Sequence, residues 1–223
     1  LLVLTPMIAL FFAISSWASG PVVLFLCLVP AGLCVGLVEV VVNVEADRVE
    51  HQLGRRIMNR AHAFGSFGFF AAGLAGAGIA QLGISPQLHL ALMVPVSLVA
   101  TLLLLGRFSP APLREATTEE APHFARPTWA IMALVCVTLS ASLLEGAGAD
   151  WSAIYMRDVF AASPLVCGLA VAAGAFTQAV MRFFADGLVE RFSPVAVARC
   201  LLVVLGCGAL LVVLAPGPVW ALL

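Results

Sequence analysis

The sequence contains no lysine, and charged residues make up only 10% of its 223 positions. Soluble domains have about 25% charged and about 45–50% apolar residues, whereas 62% of this chain is hydrophobic. A soluble core cannot bury that much apolar surface, so a soluble globular domain is excluded. We expect the lipid bilayer to be a partner of the chain, and we expect no nucleic acid partner.

The sequence also lacks the short motifs that mark common enzyme classes. It contains no His-x-x-x-His or Gly-x-Ser-x-Gly pattern, no cluster of metal-ligand residues and no glycine-rich phosphate loop. Its six cysteines include no close pair at metal-ligand spacing, so we interpret them as small apolar residues. We therefore predict a protein that is not an enzyme and that has no metal site and no cofactor.

Long continuous apolar stretches are what the sequence does contain. Each is close to the ~20 residues that a helix needs to cross the hydrocarbon of a bilayer. Because the apolar residues do not alternate with polar ones, helices are indicated and a β-barrel is not. The predicted fold class is an all-α, polytopic transmembrane helical bundle. The predicted spans are Leu1–Ser19, Pro21–Asn43, Ala61–Gln81, Gln87–Leu105, Thr128–Gly148, Pro164–Phe184 and Pro194–Ala215, with an eighth beginning at Pro218.

Arginine is concentrated in every second connection between these spans, and the connections in between carry almost no charge. Because positive residues accumulate in the cytoplasmic loops of membrane proteins, we assign the arginine-rich connections to the cytoplasm. The span from Leu1 then runs outward and the span from Pro21 runs inward. The arginines concerned are Arg48, Arg55, Arg56, Arg60, Arg107, Arg114, Arg126, Arg182, Arg191 and Arg199.

Residues 107–127 differ in composition from the spans on either side. They contain four prolines, the pair Glu119–Glu120 and few large apolar residues, which is typical of a solvated linker. We therefore predict the end of one helical half in residues 1–106, this cytoplasmic linker, and the start of a second half in residues 128–223. Transporters built from two repeated halves have this layout. Since the chain begins and stops inside apolar runs, we expect a fragment that is incomplete at both ends.

Polar residues inside the spans are the main functional signal, because an ionisable group near the bilayer centre costs about 2.5–3.5 kcal/mol. In the second span, Glu39 and Asn43 share a helical face with Gly32 and Gly36. Such a face suits a water-filled path or a close helix contact. The alternative is that Glu39 lies near enough to the cytoplasmic end of its helix to be hydrated.

The third span begins near His62, whose ring titrates in the physiological range and is a candidate partner for Glu39. The alternative is that His62 only marks the hydrated end of its helix. Further along this span, small residues recur every four positions, which predicts a seam where two helix backbones approach closely. The seam consists of Gly68, Ala72, Gly76 and Ala80, with Gly65, Gly73 and Gly78 beside them.

The fifth span carries a second intramembrane acid, Glu145. Two glycines follow it, and they permit a break in the helix of the kind that transporters use for sites and gates. Glu145 lies toward the outer end of this span and Glu39 toward the cytoplasmic end of its own, so we assign the two acids to separate gates. Beyond Glu145, the residues Asp150 and Arg157 belong either to a gate or to an exposed ion-pair cluster of little energetic value.

The sixth span carries polar residues at four-residue intervals, at Gln178, Arg182 and Asp186, with Glu190 and Arg191 beyond them. Residues four apart are neighbours on a helix surface. We expect Arg182 to reach the cytoplasmic surface and to pair with Asp186.

Two stretches, GLVEVVVNVEADRVEHQLGRRIMNRAHAFGSFGFFAAGLAG and EGAGADWSAIYMRD, resemble bacterial major facilitator superfamily transporters, in the group similar to the fucose permease and its uncharacterised inner-membrane relatives. The resemblance implies that the chain runs from the third helix to the start of the tenth of twelve. In that family the fourth and seventh helices line the central cavity, which puts Glu39, Asn43 and Glu145 on the substrate route. The sequence departs from the family at Glu39, where members often have Asp, and in a weakened loop motif at residues 185–193.

From these features we predict a secondary active transporter in the bacterial inner membrane. We expect a monomer that moves a small-molecule solute by alternating access, with or without proton coupling, and the resemblance implies a sugar-like solute or a related metabolite. The alternatives are drug or metabolite efflux by the same fold, and a membrane sensor or scaffold that moves no solute. The predicted substrate or proton pathway consists of Glu39, Asn43, His62, Glu145 and Gln178, and the predicted gate or loop-motif residues are Asp150, Arg157, Arg182, Asp186, Glu190 and Arg191.

Overall fold

The structure, a computed structural model, describes residues 1–112 and 127–221. These residues form helices and no strand. Six helices, α2 to α7, are long and apolar enough to cross a membrane, which confirms the predicted all-α polytopic bundle. The helices are α1 (Leu4–Ser15), α2 (Pro21–Leu53), α3 (Met58–Gln81), α4 (Pro86–Leu105), α5 (Trp129–Phe160), α6 (Pro164–Phe192), α7 (Pro194–Val213) and α8 (Pro218–Ala221).

Proline explains where several helices begin. It occupies the first turn of α2, α4, α6 and α7. Its fixed φ and missing N–H suit that turn, because the N–H groups there have no partner within the helix. Before α4 the hydroxyl of Ser85 accepts a hydrogen bond from the N–H of Leu88, and before α7 Ser193 caps Ala196 in the same way. The predicted spans that begin at proline therefore start where expected.

Helix ends differ more from the expectation. The structure continues α2 beyond Asn43 to Leu53, and α5 beyond Gly148 to Phe160. The predicted ends mark where the sequence becomes polar, but backbone hydrogen bonding continues through polar turns. The helix is not broken at the glycines after Glu145, although they permit a break, and Glu145 lies near the middle of a continuous helix. The predicted first span is also longer than α1, which has 12 residues.

The described residues divide into two compact units. One comprises residues 1–61 and 79–112, and the other comprises residues 62–78 and 127–221. The middle of α3 therefore groups with the helices that follow the predicted linker. Most of that linker, at positions 113–126, lies outside the described residues.

In the first unit, α1 packs against α2 and α4. The side-chain amide of Gln87 donates to the carbonyl of Ser16 over 3.1 Å. At the polar end of α2, Glu45 accepts hydrogen bonds from Arg48 and from the backbone N–H of Ala111. Polar side chains thus connect segments of this unit, and the Ser97 hydroxyl of α4 also donates to the carbonyl of Thr5 on α1.

The turn from α2 to α3 depends on one carboxylate. Oε2 of Glu50 accepts the backbone N–H groups of Ile57 and Met58, at 2.9 and 3.1 Å, at the point where α3 begins. The turn itself passes through Gly54 at a φ of 63°, which glycine adopts without strain. Glu50 therefore acts as the cap of the following helix.

We expect Glu50→Ala to lower the melting temperature of the full-length protein in detergent, because two N–H groups lose their acceptor. Glu50→Gln keeps an acceptor oxygen and should lower it less. Thermal unfolding followed by circular dichroism or tryptophan fluorescence measures both. Equal effects of the two variants would show that the carboxylate charge, and not the cap, is what matters.

Candidate functional site

In the second unit, α3 and α6 pack through residues with little or no side chain. Gly73 faces Ala172, and a Cβ at Gly73 would lie 3.5 Å from the Cβ of Ala172. Gly168 lies so close to Ala77 that a Cβ on the glycine would overlap the alanine. The surrounding alanines, including Ala179, are fully buried. This close contact sets the distance at which polar side chains on α3 and α6 meet.

The contact corrects the seam predicted from the sequence. Gly68 and Ala72 are exposed and Gly76 is half-buried, while Ala80 is an exposed residue of the first unit. The face of α3 that meets α6 runs instead through Ser66, Gly73 and Ala77. Because α3 has small residues on several faces, residue spacing alone does not identify the packed one.

Four polar side chains from three helices close a ring directly beside this contact. Ser66 stands on α3, Glu145 on α5, and Gln178 and Arg182 on α6. Arg182 contacts Oε1 of Glu145 through Nη2 at 3.3 Å and donates to the Ser66 hydroxyl through Nη1 at 3.1 Å. Gln178 donates to the same Glu145 oxygen and accepts at Oε1 from Ser66 over 3.1 Å. We call these four residues the polar ring.

Hydrogen bonding in the polar ring is internally consistent. The Ser66 hydroxyl accepts from Arg182, and its hydrogen is directed either to Gln178 or to the carbonyl of His62, 3.3 Å away. The Gln178 amide presents its oxygen to the serine and its nitrogen to the carboxylate, so both ends have a partner. Each member thereby orients its neighbours.

The charges of the polar ring balance, because one guanidinium faces one carboxylate. Ser66 is buried, but 35% of the Arg182 side chain and 53% of the Glu145 side chain are exposed within the described residues. Both hydrogen bonds to Glu145 use Oε1, and within this part of the chain Oε2 accepts none. The ring therefore offers a solute a cation, an anion, an amide and a free carboxylate oxygen.

The sequence anticipated three members of the ring and missed the fourth. Glu145, Gln178 and Arg182 were predicted site residues, but the partner expected for Arg182 was Asp186, and the structure instead places the guanidinium on Glu145 and Ser66. Ser66 was not predicted. The available signal was its position as a polar residue within the apolar run AFGSFGFF, one turn from His62.

The other predicted pathway residues are not members of the ring. Glu39 is exposed and Asn43 half-buried on α2, in the first unit, and the buried Ala46 lies on the same helical face, seven residues after Glu39. His62 contributes its backbone carbonyl to Ser66. The roles of Glu39, Asn43 and the His62 imidazole therefore stay predictions.

The predicted gate residues are spread over α5 and α6. Arg157 forms an ion pair with Asp158 at 2.7 Å, and both side chains are mostly exposed. Asp150 is also exposed. On α6, Asp186 is buried with 8% exposure. Near the end of that helix, beyond Glu190, the guanidinium of Arg191 lies 5.2 Å from the centre of the Phe192 ring.

Comparison with known proteins identifies relatives. No family model matches the chain, and no solved structure matches it. The chain is 32% identical over 200 residues to the uncharacterized transporter y4wD of Sinorhizobium fredii. The similar stretch covers 86% of this chain and 52% of that protein. It is 28% identical over 178 residues to an uncharacterized MFS-type transporter of Yersinia pestis, covering 77% of this chain and 44% of that protein.

The chain thus spans about half the length of the curated relatives it matches. Within the described residues, six helices are long and apolar enough to cross a membrane. This chain is a multi-pass, all-α membrane protein that resembles transporters of the major facilitator superfamily.

Proposed function

We propose that this chain forms part of a secondary transporter that moves a small polar solute across the bacterial inner membrane by alternating access. The observation that carries the proposal is the polar ring, which puts an arginine and a glutamate in contact between apolar helices. Ionisable residues at such positions mark substrate and ion pathways more often than packing sites. The names of the two relatives, both transporters, support the same function.

The polar ring is not needed to hold α3 and α6 together. The contacts of Gly168 with Ala77 and of Gly73 with Ala172 already bring the two helices into close approach. Phe70 and Phe176 add an aromatic contact, with ring centres 5.2 Å apart. A sensor or scaffold that used its intramembrane charges only for packing would gain little stability from an ion pair beside this contact of α3 with α6. The arrangement therefore favours transport over the scaffold alternative.

The contacts of the Glu145 carboxylate support a proposal of proton coupling through this residue. A proton on Glu145 removes the negative charge that faces Arg182 and weakens both hydrogen bonds received at Oε1. The three helices that the ring connects are then free to separate. Glu39 on α2 is a second candidate acid and belongs to the proposed pathway on the sequence argument.

The test uses the full-length protein in liposomes that contain a pH-sensitive dye, with hexoses, organic acids and lipophilic cations added one at a time. One solute class should trigger proton movement. Glu145→Gln should reduce the rate of that proton movement at least about tenfold, which corresponds to about 1.4 kcal/mol of activation free energy. Glu39→Gln tests the second acid in the same assay. Ser140→Ala is the matched control, because within the described part of the chain the Ser140 hydroxyl donates only to the carbonyl of Cys136 on its own helix.

Three outcomes are informative. Movement triggered by lipophilic cations would identify efflux of drug-like compounds. Normal rates and normal pH dependence in both acid variants would contradict proton coupling through these residues. Failure of every solute to move, in counterflow as well as in the dye assay and with folded protein, would contradict transport and favour the sensor alternative.

A further inference from the structure

We propose that Arg182 binds a carboxylate group of the transported solute, and that this carboxylate takes the place of Glu145 while Glu145 takes up a proton. The solute class is then a small monocarboxylate that also carries hydroxyl groups, such as a sugar acid. This inference rests on the proposed transport function and adds to it a substrate class and a binding residue.

The first argument is charge balance. An arginine keeps its positive charge at any physiological pH, and of the described residues only Glu145 forms an ion pair with Arg182. If Glu145 becomes protonated, the ring holds one uncompensated positive charge between apolar helices, which is costly. A solute with one negative charge restores neutrality. A neutral sugar does not, and a cation would be repelled.

The second argument is the geometry of the existing ion pair. Arg182 reaches one oxygen of Glu145 through one nitrogen, at 3.3 Å. Charge-assisted hydrogen bonds of this type are usually about 2.7–2.9 Å long, and the strongest arginine pairs use two parallel hydrogen bonds. A mobile carboxylate is able to approach the guanidinium in that two-bond geometry. The internal partner is therefore one that a solute carboxylate can replace.

The third argument concerns the neutral members of the polar ring. Ser66 and Gln178 together present a hydroxyl and an amide beside the guanidinium. Once Glu145 is protonated, the Gln178 amide nitrogen loses a charged acceptor and becomes available to a solute hydroxyl. These groups suit a solute that carries hydroxyl groups next to its carboxylate.

Other titratable side chains stand on the helices around Glu145, but among the described residues Arg182 alone forms an ion pair with it. The exchange proposed at Arg182 therefore replaces the one ion-pair partner that Glu145 has among these residues. The other groups on these helices are Arg60 and His62 on α3, Cys136, Asp150, Tyr155, Arg157 and Asp158 on α5, Cys167, Asp186, Glu190 and Arg191 on α6, and Arg199, Cys200 and Cys207 on α7.

The experiment compares solutes of the same carbon framework with and without a carboxylate, using the full-length protein. The pairs are glucuronate with glucose and gluconate with sorbitol, and alanine serves as a zwitterion. Binding is read as the rise in melting temperature in detergent, and transport as solute-driven proton uptake into liposomes. Only the carboxylates should raise the melting temperature, and their uptake should bring in about one proton per molecule without building a membrane potential.

Variants and pH make the test specific. Wild-type affinity for the carboxylate should fall as the pH rises, by up to about tenfold for each pH unit, because binding takes up one proton. Glu145→Gln resembles the protonated state, so it should bind the carboxylate with no such pH dependence. Arg182→Gln should abolish carboxylate binding, whereas Arg182→Lys should retain a weakened form of it.

The outcomes separate the inference from the proposed function. Carboxylate binding without any transport would uphold the Arg182 site and contradict the transporter. Transport of glucose or alanine with no effect of the carboxylates would uphold the transporter and overturn the site. Carboxylate binding that survives in Arg182→Gln, or binding of no solute at all, would also overturn it.

Discussion

Gly168→Leu is expected to abolish both the packing of α3 on α6 and solute transport. Even a single Cβ at this position would overlap Ala77, and the Cα of Ala77 would lie only 3.0 Å away. Because the obstacle includes backbone, rotation of a side chain cannot relieve the overlap. Overpacking of this kind typically costs about 1–3 kcal/mol, and the separation of the helices would also open the polar ring.

The matched control is Gly174→Leu on the same helix, where an added Cβ meets nothing within 4 Å. It should leave the melting temperature and transport close to normal. A milder pair extends the test: Gly168→Ala should lower the melting temperature, and the added change Ala77→Gly should recover much of the loss by removing the facing methyl group. Equal tolerance of leucine at positions 168 and 174 would contradict the close contact.

The second large effect is expected from Arg182→Gln. This change leaves the Glu145 carboxylate and the Ser66 hydroxyl without the guanidinium that links them. Loss of a hydrogen-bonding partner at such a site costs about 1–3 kcal/mol, so folded yield and melting temperature should fall. Transport should fall further, because the residue is lost from the solute route as well as from the structure.

The double variant Arg182→Gln/Glu145→Gln separates these two effects. With both charges removed, the two amides can bond to each other, so folding should recover relative to Arg182→Gln. Transport should not recover. If transport returned together with stability, the ion pair would be a structural feature only and the functional assignment of the ring would be lost.

The comparison of sequence and structure shows which features depend on local chemistry. Helix starts at Pro21, Pro164 and Pro194 follow from the proline itself, so they were predictable. Helix ends in α2 and α5 were not, because polar residues end an apolar run without ending the helix. The all-α class followed from the continuous apolar runs, because a helix satisfies all its backbone hydrogen bonds within one segment when no water is present in the bilayer.

The polar ring was predictable only in part, for a physical reason. An intramembrane glutamate, glutamine and arginine are visible in the sequence as costly residues that need an explanation. Which of them meet depends on the rotation and height of three helices, and residue spacing along one helix does not contain that information. The sequence therefore paired Arg182 with Asp186, one turn away, and overlooked Ser66 on a helix distant in the chain.

The central claim, that the polar ring lies on an alternating-access route, is tested most directly by thiol labelling of Gln178→Cys. The variant is made in a background from which the native cysteines have been removed, and a charged, membrane-impermeant reagent is applied to each side of the membrane in turn. The matched control is Thr177→Cys at the same depth, since the Thr177 hydroxyl, among the residues that the structure describes, donates only to the carbonyl of Ala173 on its own helix. Labelling at position 178 from both sides, with none at 177, is the predicted result. Absence of labelling at position 178 from either side, in folded protein, would contradict the account.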